Sequence, residues 1–230
     1  ADICLTPIPD SLSDEDALFV GDILSSGYFA AELCSIQPGD TVVILGAGPV
    51  GLCAGQCARL FGAGKIIYLE PQEKRLQLAL SNHIGDAGFN PLTCHPLSEI
   101  RSLTGGRGAD CVIEAAGAST TFQTAWEIAR PNGIVALVAM YEQDQILPLP
   151  RMYGKNLTFK TGGVDACHCS VLMELLAQKK LDTSFLITHR GTLEHIVEGY
   201  RVFSSQKGDC LKWVIIPPEK SSSISGRDHF

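Results

Sequence analysis

The sequence predicts an α/β fold with a doubly wound parallel sheet, and three observations predict it. Short apolar, β-branched runs recur: "TVVIL" (41–45), "KIIYLE" (65–70), "CVIEAAG" (111–117) and "IVALVAM" (134–140). Each but the last is followed by a stretch of helical pattern, and strands buried on both faces read as such uninterrupted runs. Between the first run and its helix lies a glycine-rich loop, "GAGPVG" (46–51). Repeated strand–helix units of this length imply parallel strands with helices on both faces.

Taken in order, residues 1–18 read as a loop and then a helix start. A helix follows over 23–35, closed by the turn signal Pro38-Gly39. After the 41–45 strand and the glycine loop come a helix at 50–61, the 65–70 strand and a helix at 72–82. A weak strand at 87–90 and a helix at 96–104 precede the 111–117 strand. The helix at 119–130 is expected to end at Pro131-Asn132-Gly133. Strands at 134–140 and 157–161 complete the sheet. The remainder differs in character: a helix near 166–179, the short "LITHR", a helix in "TLEHIVEGYRVFSS", and a strand over 211–217. The Ser-rich tail 218–230 is expected to be disordered.

Composition narrows the class. Of 230 residues 45% are apolar and 19% charged, enough for a sizeable core. The net charge of −7 is spread without runs, which argues against a nucleic-acid surface. No stretch has the roughly eighteen consecutive apolar residues of a membrane span, and no signal peptide is recognisable. Nine scattered cysteines, an odd number, suggest reduced thiols in a cytoplasmic chain rather than a disulfide framework.

The chemistry concentrates at the glycine loop. Gly46, Gly48 and Gly51, with Pro49 and Val50 between them, fit the G-x-G-x-x-G pattern after a strand and before a helix. Gly46 permits the tight turn, Gly48 admits a pyrophosphate against the backbone, and Gly51 lets the helix pack on the sheet. The helix N-terminus then favours the phosphates. Glu70 stands 19 residues after Gly51, at the end of the second strand. A carboxylate there accepts both ribose hydroxyls and repels a 2′-phosphate, favouring NAD over NADP. Two rival readings are a plain Gly-rich turn with a surface Glu, and an S-adenosylmethionine-dependent methyltransferase, which also uses a Gly-rich loop and a following acid.

Asp22 interrupts "FVGDILSSGYFAAE" (19–32), which otherwise reads as the start of a buried helix. A buried carboxylate needs a partner. Local sequence offers a helix N-cap taking the N–H of Leu24 or Ser25. The "CHC" at 167–169 invites a metal reading, but neighbours on a helix point about 100° apart and cannot converge on one ion. His83, His95, His189 and His195 read as surface or interface residues.

Four segments in this order, "GDILSSGYFAA", "PGDTVVILGAGPVGL", "TGGRGADCVIEAAG" and "YGKNLTFKTG", resemble the zinc-dependent medium-chain alcohol dehydrogenases. The similarity is greatest to the formaldehyde dehydrogenase-like and threonine dehydrogenase-like branch. It spans about residues 1–217 and weighs against the methyltransferase.

The resemblance implies a Rossmann domain at 36–160, flanked by remnants of a GroES-like catalytic domain: its end and a linking helix at 1–35, and a return segment at 161–217. The family's other zinc ligands and proton relay are expected upstream of Ala1, so the chain reads as a fragment. Asp22 matches the family's third zinc ligand, and zinc takes carboxylate oxygen readily. Arg75 matches a basic position beside the adenosine ribose, and Lys212 one that reaches the pyrophosphate. Ala116, Gly117, Ala139 and Met140 fall at strand ends by the expected nicotinamide site. The implied activity is hydride transfer from a zinc-bound alcohol to NAD, by a homodimer or homotetramer joined through the sheet. The alternative is a non-catalytic dinucleotide-binding and dimerisation module.

Overall fold

A capping box sets the first helix of the computed structural model, which describes residues 5–205 and 210–217. Helix α1 is Asp14–Ala17; the Ser13 hydroxyl accepts the Asp16 N–H, and the Asp16 carboxylate accepts the Ser13 N–H at 2.9 Å. The next segment departs from the single helix expected over 23–35. Val20–Leu24 is a π-helical turn, in which Leu24 donates its N–H to the Phe19 carbonyl at 2.8 Å, five residues back. It runs directly into α2, Ser25–Leu33.

Six parallel strands form the main sheet: β1 (Thr41–Leu45), β2 (Lys65–Leu69), β3 (Ala87–Phe89), β4 (Ala109–Glu114), β5 (Ala129–Leu137) and β6 (Thr158–Thr161). Their order is β3-β2-β1-β4-β5-β6. This is the doubly wound order of dinucleotide-binding sheets, which reverses direction between β1 and β4. The connecting helices are α3 (Pro49–Leu60), α4 (Glu73–Ser81), α5 (Pro96–Leu103) and α6 (Thr121–Ile128). A short α7 (Leu149–Met152), unforeseen in the sequence, precedes β6, and α8 (Cys169–Ala177) follows it.

The core explains why these runs are strands. All five residues of β1 and all six of β4 are buried. Val43, Leu45, Ile67, Leu69, Val112 and Val135 meet Ile100 and Ile128 in one apolar cluster. Each such side chain contributes about 1.5–3 kcal/mol when fully buried. At the opposite edge from the glycine loop, the Asp110 carboxylate ties three strands. It accepts the Thr41 N–H at 2.8 Å and pairs with the Arg130 guanidinium at 2.5 Å.

Two sequence readings are corrected here. Pro131-Asn132-Gly133 was expected to close a helix and precede a strand; instead it lies inside β5, which starts at Ala129. Ala109 pairs with Ala129 and Cys111 with Ile134, so five residues on β5 advance against two on β4. The irregularity holds Asn132 at φ +59°, its N–H donated to the Lys155 carbonyl at 2.7 Å. The local turn signal is real, but strand pairing on both sides of it carries the chain through. The "CHC" does not lie on a helix either: α8 begins at Cys169, with Cys167 and His168 before it.

The chain forms two compact units, one up to Ser184 and one from Phe185. The second contains a two-stranded parallel pair, β7 (Ile187–Gly191) and β8 (Lys212–Ile215), with α9 (Ile196–Ser204) between them in sequence. The tail 218–230, expected to be disordered, lies outside the described residues. Eight cysteines are free among the described residues, four of them buried. Burial pushes the Cys53 thiol up to about 12, so it is an inert core group at neutral pH. No helix among the described residues is long and apolar enough to cross a membrane.

Candidate functional site

The glycine loop leaves β1 where the sheet order reverses. Gly46 turns the chain with φ +97°, donating its N–H to the Leu69 carbonyl at 2.9 Å. A Cβ on Gly51 would stand 2.0 Å from the Gly46 carbonyl oxygen, so only glycine lets the first turn of α3 sit this close. Gly48 differs: a Cβ there would meet none of the described residues within 4 Å. Its backbone is extended (φ −74°, ψ 177°), and Pro49 follows at the first position of α3. The first N–H groups of a helix have no intrahelical acceptor. Gly48 therefore leaves an open approach to the donor end of α3, where an anionic group is favoured.

Glu70, just after β2, is 4% exposed and turned back towards this loop. One carboxylate oxygen accepts the Ala47 N–H at 2.7 Å and the other the Gln72 N–H at 2.8 Å. Each oxygen has a second lone pair, so the carboxylate can still accept from a ligand. Arg75, on the first turn of α4, has a buried Nε without a hydrogen-bond partner among the described residues. Such an orphaned donor calls for a partner.

Across the reversal point lie the ends of β4 and β5. Ala115 donates its N–H to the Leu45 carbonyl at 3.0 Å, and a Cβ on Gly46 would touch that of Ala116 at 3.1 Å. The two halves of the crevice are thus adjacent. Gly117 (φ +68°) lies against β5's end, where a Cβ would come 2.6 Å from the Met140 carbonyl oxygen. Ala116 is exposed, Ala139 and Gly117 are half-buried, and the Met140 side chain is 94% exposed. A cleft of about 920 Å³ opens beside them, lined by Ala116, Gly117, Phe122, Tyr141, Gln143 and Arg151 among others.

Glu114 is the group that the sequence reading missed. It is fully buried at the end of β4. Its Oε1 accepts the N–H groups of Ala116 (3.0 Å) and Gly117 (2.9 Å), and its Oε2 accepts the Tyr141 hydroxyl at 2.6 Å. Burial and the Glu114 carboxylate hold the Tyr141 phenol well above its usual range, so it is a fixed donor. The signal in the sequence was an acid closing an apolar strand, "CVIEAAG", which requires a buried partner.

The structure gathers Gly46, Gly48, Pro49, Val50, Gly51, Glu70, Ala116, Gly117, Ala139 and Met140 at the carboxyl edge of the sheet, with Arg75 on the helix beside Glu70. Lys212 belongs to the second unit, where its Nζ lies over the Phe203 ring at 5.7 Å. Asp22 departs from expectation in two ways. It is exposed rather than buried, and it sits within the π turn rather than at a helix N-cap. Its carboxylate takes only a long bond, 3.3 Å, from the Ser26 hydroxyl. π turns of this kind are frequent at functional positions. Among the described residues, no three His, Cys, Asp or Glu side chains gather to hold a metal. His168 instead meets Glu32 at 3.4 Å and packs on Tyr28. His83, His95 and His195 are exposed, and His189 stacks on Trp213.

Residues 49–177 match the family described as "Zinc-binding dehydrogenase". An "Alcohol dehydrogenase" of Cupriavidus necator is 36% identical over 93% of the chain and 59% of its own length. An "NADP-dependent isopropanol dehydrogenase" of Thermoanaerobacter brockii is 33% identical over 94% of the chain and 63% of its own length. Among solved structures, "Alcohol dehydrogenase TADH from Thermus sp. ATN1" superposes with a TM-score of 0.86 at 34% identity, covering 92% of this chain and 62% of that one. The chain thus spans about three fifths of the length of these relatives.

Proposed function

Because the chain belongs to the zinc-binding dehydrogenase family, we propose that it is the NAD-binding part of an alcohol dehydrogenase acting on CH–OH groups. The single observation that carries the cofactor reading is the open approach at Gly48, at the reversal point of the sheet. The pyrophosphate would lie there against the α3 N-terminus, with Pro49, Val50 and Gly51 forming the first turn beneath it. The adenosine ribose would meet Glu70, and the buried Arg75 Nε would lie beside it. The nicotinamide would face Ala116, Gly117, Ala139 and Met140, which supply backbone and van der Waals surface. NAD would supply the hydride acceptor when bound, and these residues would bind and orient it.

The T. brockii relative is named for NADP, whereas Glu70 supports NAD for this chain, since a 2′-phosphate would face its carboxylate. Titration of the chain with NAD and NADP by calorimetry tests the reading.

Zinc does not fit the described residues as a complete site. A catalytic zinc takes three protein ligands, and Asp22 would supply one. Asp22 is therefore proposed only as a contributor, on the strength of its exposed carboxylate in a π turn. Among the described residues, the sheet's outer strand β6 pairs on one side, with β5. This supports self-association through that edge, which light scattering would test.

A further inference from the structure

We propose that Glu114 and Tyr141 form a positioning pair that sets the spacing of the two backbone segments facing the nicotinamide half of the cofactor. The inference rests on the cofactor reading above and adds to it two residues that act through the backbone they hold. Glu114 joins two strand ends, its own at β4 and that of β5. Its carbonyl accepts the N–H groups of Val138 (3.0 Å) and Ala139 (3.2 Å), and its carboxylate accepts those of Ala116 and Gly117. The remaining oxygen takes the Tyr141 hydroxyl. One residue thus fixes 115–117 by its own strand and 138–141 by two routes, main chain and side chain.

The Tyr141 hydroxyl also meets the Thr121 side chain, and the packing of the ring does not depend on either bond. The ring stands edge-on to Phe122 at 6.5 Å, a contact that phenylalanine would keep. Removing the hydroxyl would leave the 138–141 segment to the main-chain route, beside Gly117, where a Cβ would come 2.6 Å from the Met140 carbonyl oxygen. Glu114 is fully buried, so it acts through the backbone groups it holds. The glycine loop and Glu70 lie on the other half of the crevice and share no hydrogen bond with this carboxylate. The pair should therefore govern the nicotinamide half and leave the adenosine half alone.

The test compares NADH with ADP-ribose, which lacks the nicotinamide, by calorimetry on the 230-residue chain. Tyr141→Phe should weaken NADH by about fivefold to tenfold, because the segment facing the nicotinamide loses one of its two tethers, and leave ADP-ribose unchanged within about twofold. Glu114→Gln keeps an oxygen for the loop N–H groups and an amide for the phenol oxygen. It should retain most of the NADH affinity of the unaltered chain. Equal losses for both ligands in Tyr141→Phe, or no loss for either, would overturn the positioning role. Failure of the unaltered chain to bind either ligand would overturn the cofactor reading itself, and this inference with it.

Discussion

The Glu70 carboxylate holds the Ala47 N–H at 2.7 Å, so the acid at the end of β2 also braces the glycine loop that follows β1. This double duty shapes the first prediction. NAD should bind tighter than NADP. Glu70→Ala should weaken both, by loosening the loop, but narrow the ratio between them. The ratio of dissociation constants is the quantity to measure. Equal constants for the unaltered protein would refute the assignment of cofactor preference to Glu70.

Gly48 and Gly51 should respond in opposite ways. Gly48→Val projects into open space, so the fold should survive with a modest loss from a poorer helix cap, about 1 kcal/mol. NAD affinity should fall by about tenfold or more, as the branched side chain takes the pyrophosphate's place. Gly51→Ala drives a Cβ into the Gly46 carbonyl and should cost about 1–3 kcal/mol or more. Denaturant melts and cofactor titrations on both variants separate the two effects.

Asp110 provides a pH signature. Burial pushes its carboxyl up, but the hydrogen bonds from Arg130 and Thr41 outweigh this and its pKa falls below the ordinary 3.8. A lowered folded pKa means that the stabilisation is fully present above about pH 4 and is lost as pH falls through the folded value. Asp110→Asn should cost about 1.5–3 kcal/mol at pH 7. The difference between the two proteins should shrink in urea melts taken progressively below pH 4. A difference that stayed constant down to pH 2 would contradict the role given to this pair.

Asp22 should be neutral for folding. Its exposed carboxylate makes one long bond, so Asp22→Ala should shift stability by no more than about 0.5 kcal/mol. In any form of the protein that retains zinc, Asp22→Ala should release the metal and Asp22→Cys should be the milder change, since thiolate keeps the charge and zinc accepts sulfur. The 230-residue chain, with one proposed ligand, should hold no stoichiometric zinc. Metal analysis of the purified protein checks this.

By itself the sequence determined the alternation of strands and helices, the glycine loop and the acid after it. These rest on local physics. An apolar β-branched run must be buried on both faces, and a phosphate-admitting turn needs glycine at fixed offsets. Tertiary structure decided what depends on partners distant in the chain. It drew Pro131-Asn132-Gly133 into β5, because pairing with β4 outweighed a local turn signal. It put Asp22 at the surface in a π turn, although the residues around it read as a buried helix. It also joined Glu114 to Tyr141, 27 residues apart. A strand-end acid announces that it needs a donor, but only the packed sheet brings the end of β5 close enough to provide one.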